Sequence, residues 1–204
     1  METPPENEWE LTPIEFENEN GEAVYMEMTP ESIAEQYEAA ASMEDTREME
    51  KYRALHELLT LKDDLELTDG DSEVPQLGGL HKSVRSQLSG FESHHIPAQS
   101  VQAEKADELP SIAITAEDHH LTDSYRGKSH RKYSSFLPDD NNDTPSYKQE
   151  AQSMIENGDY MDLVRDELYN IREHFGHKYD GAIKQYLNAM AKMIAEKGVP
   201  DTKK

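Results

Sequence analysis

The chain contains no cysteine, which excludes disulfides, cysteine-ligated zinc and thiol catalysis and leaves redox compartment open. Any bound metal would have to be held by His, Asp, Glu or Asn side chains. No apolar run approaches the roughly 18–20 residues needed to span a bilayer, so membrane insertion is not expected. The first residues, Met1-Glu2-Thr3-Pro4-Pro5, lack the basic and apolar regions of a signal peptide. Neither a nucleophile elbow around a serine nor a His-Glu-x-x-His helix is present. Apolar residues make up 35% of the chain against 31% charged, so not every segment can offset its ordering entropy in a packed core.

What is abundant is acid. The formal net charge is −23, and it is uneven: residues 1–80 carry 23 acidic and 4 basic side chains, residues 81–204 carry 20 and 16. Histidine is skewed the other way, with only His56 before position 81 and eight after it. Two regions of different chemistry are expected: an acidic N-terminal arm over 1–62, a linker over 63–80 and a second domain over 81–204. The linker is read from Thr68-Asp69-Gly70-Asp71, Pro75 and Gly78-Gly79.

Local signals fill in the elements. Residues 1–28 suit one weak hairpin or an extended arm, with poor order expected. Thr29-Pro30-Glu31 opens a helix: a cap, a proline suited to the first position, and an acid matched to the dipole. Apolar spacing from Ile33 carries it to about Leu61 as one long helix, with a break near Ser42–Asp45 as the variant. Short strands are expected around Phe91–Ile96 and Ile112–Ile114. Residues 115–138 read as loop with a short helix. A helix starting at Thr144–Ser146 stops at Asn157-Gly158, and Asp159 caps a second that ends at Gly176. A third carries Ile183, Tyr186, Leu187, Met190, Met193 and Ile194 to Gly198-Val199-Pro200, and these apolar stripes are core-forming faces.

Chemistry concentrates in Gly90-Phe91-Glu92-Ser93-His94-His95-Ile96-Pro97, followed by Glu117-Asp118-His119-His120-Leu121-Thr122 and His130-Arg131-Lys132-Tyr133. On a strand, neighbouring side chains point to opposite faces, so one imidazole of His94-His95 can bind a metal while the other projects elsewhere. At a twisting strand end, both can still face one cleft. Phosphodiester cleavage needs an activated water, a cation on the phosphate and stabilisation of the leaving oxygen. A neutral imidazole is a good general base near pH 7, and further imidazoles can hold one divalent ion. Arg126, Lys128, Arg131 and Lys132 put four bases in seven positions, a candidate contact for a nucleic-acid backbone or a solvated loop. His174 and His177 flank Gly176 at a helix end and read as structural; His56 and His81 read as exposed.

Phe-Glu-Ser-His-His-Ile-Pro, then Leu-Pro with Ala-Ile and Asp-His-x-x-Thr, then His-x-x-Tyr, resembles the HNH/endonuclease VII-type nucleases at the ends of bacterial polymorphic toxins. It is most similar to the class named for an Ala-His-His or Gly-His-His motif. Gly158-Asp159-Tyr160 and Ile171-Arg172 through Gly176-x-Lys178-Tyr179-Asp180 resemble the helical tail of those domains, so the likeness covers about residues 80–195. It implies an α+β fold with a ββα-metal core and C-terminal helices; the acidic segment before it, which the likeness does not reach, is expected from its own composition and spacing to be largely helical or partly disordered. It implies one divalent ion (Mg, Mn, Zn or Ni) on His94 and His119 with His130 as third ligand, and His95 as general base. His120 would serve catalysis or phosphate binding. Ser93 stands where Ala or Gly usually precedes the pair, and no Asn follows the second strand, which leaves the third ligand open.

The expected function is thus a metal-dependent endonuclease acting on DNA, with RNA as second substrate. The implied setting is a bacterial toxin effector made in the cytoplasm, delivered by a dedicated system and paired with a cognate immunity protein. The acidic arm would be a tether to delivery machinery, a docking surface or a shield over the basic cleft, the first two being favoured. The competing expectation is a small acidic binding protein, immunity or adaptor, without catalysis; clustered His-His pairs count against it.

Overall fold

The computed structural model describes residues 11–17, 23–85, 88–102, 104–122, 124–125 and 147–200, which form a mixed α+β fold. A two-stranded hairpin, β1 (Ile14–Glu17) with β2 (Ala23–Met26), precedes α1 (Pro30–Ser42) and α2 (Thr46–Asp64). β3 (Gly78–Leu80), the short α3 (His81–Val84), β4 (Phe91–His95), a 3-10 turn (Ala106–Glu108), β5 (Pro110–Thr115) and the short α4 (Ala116–His119) follow. α5 (Tyr147–Glu156), α6 (Tyr160–Phe175) and α7 (Asp180–Lys197) complete the described chain. None of the described helices is long and apolar enough to cross a membrane.

The long N-terminal helix is two helices. Thr29 caps the first by accepting from Ser32 N at 3.2 Å, and Asp45 caps the second by accepting from Glu48 N at 3.0 Å. Between them Glu44 adopts a left-handed backbone conformation (φ 58°), which interrupts the helical ladder where the sequence allows a break. The apolar faces of α6 and α7 are buried as their periodicity predicts, with Leu163, Val164, Leu168, Ile183, Tyr186, Leu187 and Met190 inaccessible to solvent.

α7 is the axis of the fold. It packs against α2, β1, β3 and β5. The strand order β3-β5-β4 is antiparallel throughout, with Gly78 opposite Ile112 and His94 opposite the same Ile112 from the other side. A side chain at Gly78 would place its Cβ 2.0 Å from the Ala182 carbonyl oxygen, so β3 lies directly on the backbone of α7.

The segment that reads as a linker, 63–80, is held on α7 instead. Thr68 donates from its amide and hydroxyl to Asp180 Oδ2 (2.8 and 3.0 Å). Gln76 Nε2 donates to the Lys178 carbonyl at 2.8 Å, Gln76 Oε1 accepts from Ala182 N at 3.1 Å, and Gln185 Oε1 accepts from Gly78 N at 3.1 Å. Nor does the expected boundary separate two cores. Leu55, Leu58 and Leu61 of the acidic arm share one buried cluster with Ile112, Leu163 and Ile183. The acids lie on the solvent face of α1 and α2, and the opposite face completes the core of the C-terminal helices. The composition shift therefore marks a change of surface.

Two consequences are measurable. Gly78→Ala should lower stability by about 1–3 kcal/mol, because the backbone of α7 cannot yield to the methyl group; an unchanged urea midpoint would refute the close approach. A chain starting at residue 81 lacks the arm's share of the core and should lose cooperative thermal unfolding in calorimetry. A sharp transition in that fragment would show that 81–204 folds alone.

Candidate functional site

β4 is an edge strand, and its register on β5 fixes where the histidines point. Glu92 and His94 lie on one face of the sheet; Ser93 and His95 lie on the other with Ser111, the partner of His95 in register. The adjacent histidines are thus divided between faces, the first of the two arrangements that strand alternation allows. Tyrosines of the three C-terminal helices hold the loop that follows His95: Tyr186 Oη donates to the Ile96 carbonyl (2.6 Å), Tyr160 Oη to Gln102 Oε1 (2.9 Å), and Tyr147 Oη accepts from Ala98 N (3.1 Å). Burial pushes the hydroxyls of Tyr160 and Tyr186 well above the usual tyrosine range, so both stay protonated donors.

On the first face His94 is buried, 3% exposed, and the ring of His119 meets it edge-on at 5.0 Å between centroids. His119 is brought there by α4, a single turn capped by the Thr115 hydroxyl, which accepts from Asp118 N at 3.1 Å. Asp118 in turn accepts from Lys178 Nζ at 2.7 Å and from Tyr179 Oη, tying α4 to the corner between α6 and α7. Burial alone would raise the Asp118 carboxyl, but the Lys178 and Tyr179 hydrogen bonds outweigh it and hold the group below the usual carboxylate range. Glu92 Oε2 takes a 2.6 Å hydrogen bond from His119 Nδ1, which turns Nε2 of that ring away from the carboxylate. His120 is exposed, tilted against Tyr125 at 4.5 Å.

On the second face His95 Nε2 donates to the Ala106 carbonyl at 3.2 Å, so Nδ1 carries the lone pair. His81, which reads as exposed in sequence, is half-buried and stacks on His95. Burial drives the His94 imidazole well below its ordinary range, with His119 and His95 adding to the shift. Burial also lowers His95 to about 4, and His81 and His119 push the same way. Both imidazoles, on opposite faces of β4, are therefore neutral at pH 7.

Two imidazoles, His94 and His119, with Glu92 behind one of them, fit part of a metal site. A carboxylate that accepts from the far nitrogen of a ligating imidazole fixes its tautomer and aims its other nitrogen at the metal. Among the described residues no group of three His, Asp or Glu is arranged to hold an ion. His130, Arg126, Lys128, Arg131 and Lys132 lie outside the described residues. Glu92 and Asp118 were not assigned roles from sequence. Glu92 stands two residues before His94 on a strand, and that period-2 spacing is the signal that places both on one face. Nothing local announces Lys178 and Tyr179 as partners of Asp118. Comparison with models of known protein families, with curated proteins and with solved structures returns no match to this chain.

The sign of the pH dependence follows from His95. Its folded value, about 4, lies below the ordinary imidazole value of 6.5. Between these pH values the unfolded chain binds the proton and the folded chain does not, so stability is greatest above the upper value and falls towards the lower. The loss is on the order of 2–3 kcal/mol. Urea unfolding of the metal-free chain from pH 7 to 4 should show a larger loss than in His95→Asn; parallel curves would refute the burial argument.

Proposed function

We propose that the chain is a metal-dependent endonuclease of HNH type, cleaving phosphodiester bonds in DNA. The observation that carries the reading is the convergence of His94 and His119 at 5.0 Å from a β-hairpin and the helix that follows it. β4, β5 and α4 are then the ββα core, a strand pair and helix clasping one ion. His94 and His119 would hold it, with His130, outside the described residues, as the third ligand, and Glu92 would orient His119. A divalent ion held there would supply charge on the scissile phosphate and would stabilise the leaving oxygen.

His95 is the general base. Its Nε2 proton is engaged by the Ala106 carbonyl, and its Nδ1 lone pair takes the proton of the attacking water. Burial keeps the ring neutral, which is the form a general base needs. His120, exposed beside Tyr125, assists at the phosphate, and Arg126, Lys128, Arg131 and Lys132 contact the backbone. The polymorphic-toxin setting, with delivery and an immunity protein, rests on the motif resemblance alone.

The full-length chain incubated with supercoiled plasmid, or with RNA, and Mg²⁺, Mn²⁺, Zn²⁺ or Ni²⁺ should cleave in at least one metal and stop in EDTA. His95→Ala should lower the rate by about 100-fold or more while leaving the circular dichroism unchanged. No cleavage of either nucleic acid with any metal, by a folded chain, would overturn the reading in favour of an acidic binding protein. Full activity in His95→Ala would remove that residue from the base position.

A further inference from the structure

His81 carries no role in the nuclease pattern, yet it is built into the site. It follows β3 directly, and its amide donates to the Leu109 carbonyl at 2.9 Å, which fixes its backbone to the approach of β5. A 2.8 Å hydrogen bond joins its Nδ1 to Ser93 Oγ, and Ser93 Oγ donates to Ser111 Oγ at 2.8 Å. Ser111 is fully buried on the central strand. Because the one proton of Ser93 goes to Ser111, Ser93 receives the Nδ1 proton of His81, and the ring is held in one tautomer and one orientation. That ring lies on His95 at 4.3 Å between centroids with 25° between planes.

The stack limits what His95 can do. Turning an imidazole about its Cβ–Cγ bond exchanges Nδ1 with Cδ2 and takes the ring through an orientation perpendicular to its start. A neighbouring ring in face-to-face contact blocks that passage. The Ala106 carbonyl fixes the Nε2 end of the same ring. Between them the two contacts leave one lone pair, on Nδ1, pointing in one direction.

We propose that His81 is a positioning residue for His95: its ring, anchored through Ser93 to buried Ser111, holds the His95 ring in the orientation in which Nε2–H meets the Ala106 carbonyl, and so preserves the Nε2-protonated tautomer with Nδ1 presented as the base. The catalytic half of this statement rests on the nuclease reading above; the tautomer half does not. Ser93 acquires a function as the link between His81 and the sheet. Alanine or glycine at that position would leave His81 without its anchor.

The test uses the full-length chain with uniform ¹⁵N labelling, metal-free, and cleavage kinetics of the same variants in the metal that supports activity. In the wild type the His95 nitrogens should resolve as one protonated Nε2 and one lone-pair Nδ1. His81→Ala should average the two nitrogens and lower kcat by about 10- to 100-fold with KM little changed, as expected when a reacting group is misplaced. His81→Phe keeps the stack and should restore a single tautomer and most of kcat. Ser93→Ala, which leaves both imidazoles in place, should give an intermediate loss and serves if His81→Ala does not fold. A single His95 tautomer retained in His81→Ala or Ser93→Ala overturns the proposal, as does an undiminished kcat in both. A wild-type chain that cleaves nothing overturns the nuclease reading, while the nitrogen shifts still decide whether His81 sets the state of His95.

Discussion

Asp118 accepts hydrogen bonds from Lys178 and Tyr179, and the candidate site depends on that clamp more than on any other contact. α4 has only four residues, far too few to hold a helical turn by itself, since nucleation fixes several dihedrals for a single hydrogen bond. Its orientation has to come from outside. Charge-assisted hydrogen bonds are worth about 1.5–3 kcal/mol each, and the carboxylate stays ionised because they hold it below its ordinary range. Tyr179 Oη also accepts from Thr115 N at 3.1 Å, so one phenol secures both the cap residue and the acid three positions on. With α4 fixed in this way, His119 meets His94 and Glu92; without the clamp the strand alone would present a histidine with no partner.

The next residue in the same corner performs a parallel task for the other half of the chain. Asp180 is completely buried, paired with Arg172 at 3.3 Å and His177 at 2.8 Å, and accepting from Thr68. A buried carboxylate is tolerated only when its charge is met, and here the partners come from α6, the turn between α6 and α7, and the strap after α2. Arg172 extends the tie by donating to the Leu65 carbonyl at 2.6 Å. The Lys178-Tyr179-Asp180 run thus fastens the site through Asp118 and the acidic arm through Thr68. Substitutions in this short segment should therefore couple site geometry to the packing of α2.

The sequence made some of this legible and hid the rest for physical reasons. Helices α5 to α7 announce themselves because a buried face needs apolar side chains every three to four residues, and their ends carry Gly158, Gly176 and Gly198 at positive φ. The two histidine-bearing clusters were legible as clusters. Their pairing was not: whether His94 meets His119 depends on the β4–β5 register and on α4, and whether His95 meets His81 depends on a three-residue strand, Gly-Gly-Leu, with no alternation to read. The strap reads as a linker in sequence because Asp, Gly and Thr suit a solvated segment equally well. What distinguishes them here is the supply of matching groups on α7, a property of a distant segment. Gly181 shows the same dependence, since a Cβ there would come within 2.6 Å of the Asp69 carbonyl oxygen.

Sharing one core changes how the charge asymmetry has to be understood. If the acidic arm were a detachable tether, its charge could be carried away from the site when nucleic acid arrives. Since Leu55 and Leu58 are wholly buried with the C-terminal helices, the acids of α1 and α2 stay with the same folded body as the site. Attraction of a polyanion must then be local. At physiological ionic strength the Debye length is about 8 Å, so exposed acids beyond that distance are largely screened, whereas contacts at the site itself are not. On the nuclease reading, the metal and the bases between 126 and 132 would dominate once the substrate is within that range, and long-range repulsion would act chiefly on the encounter rate. The same acidic surface, facing away from the core, remains open to a basic partner without disturbing the packing beneath it.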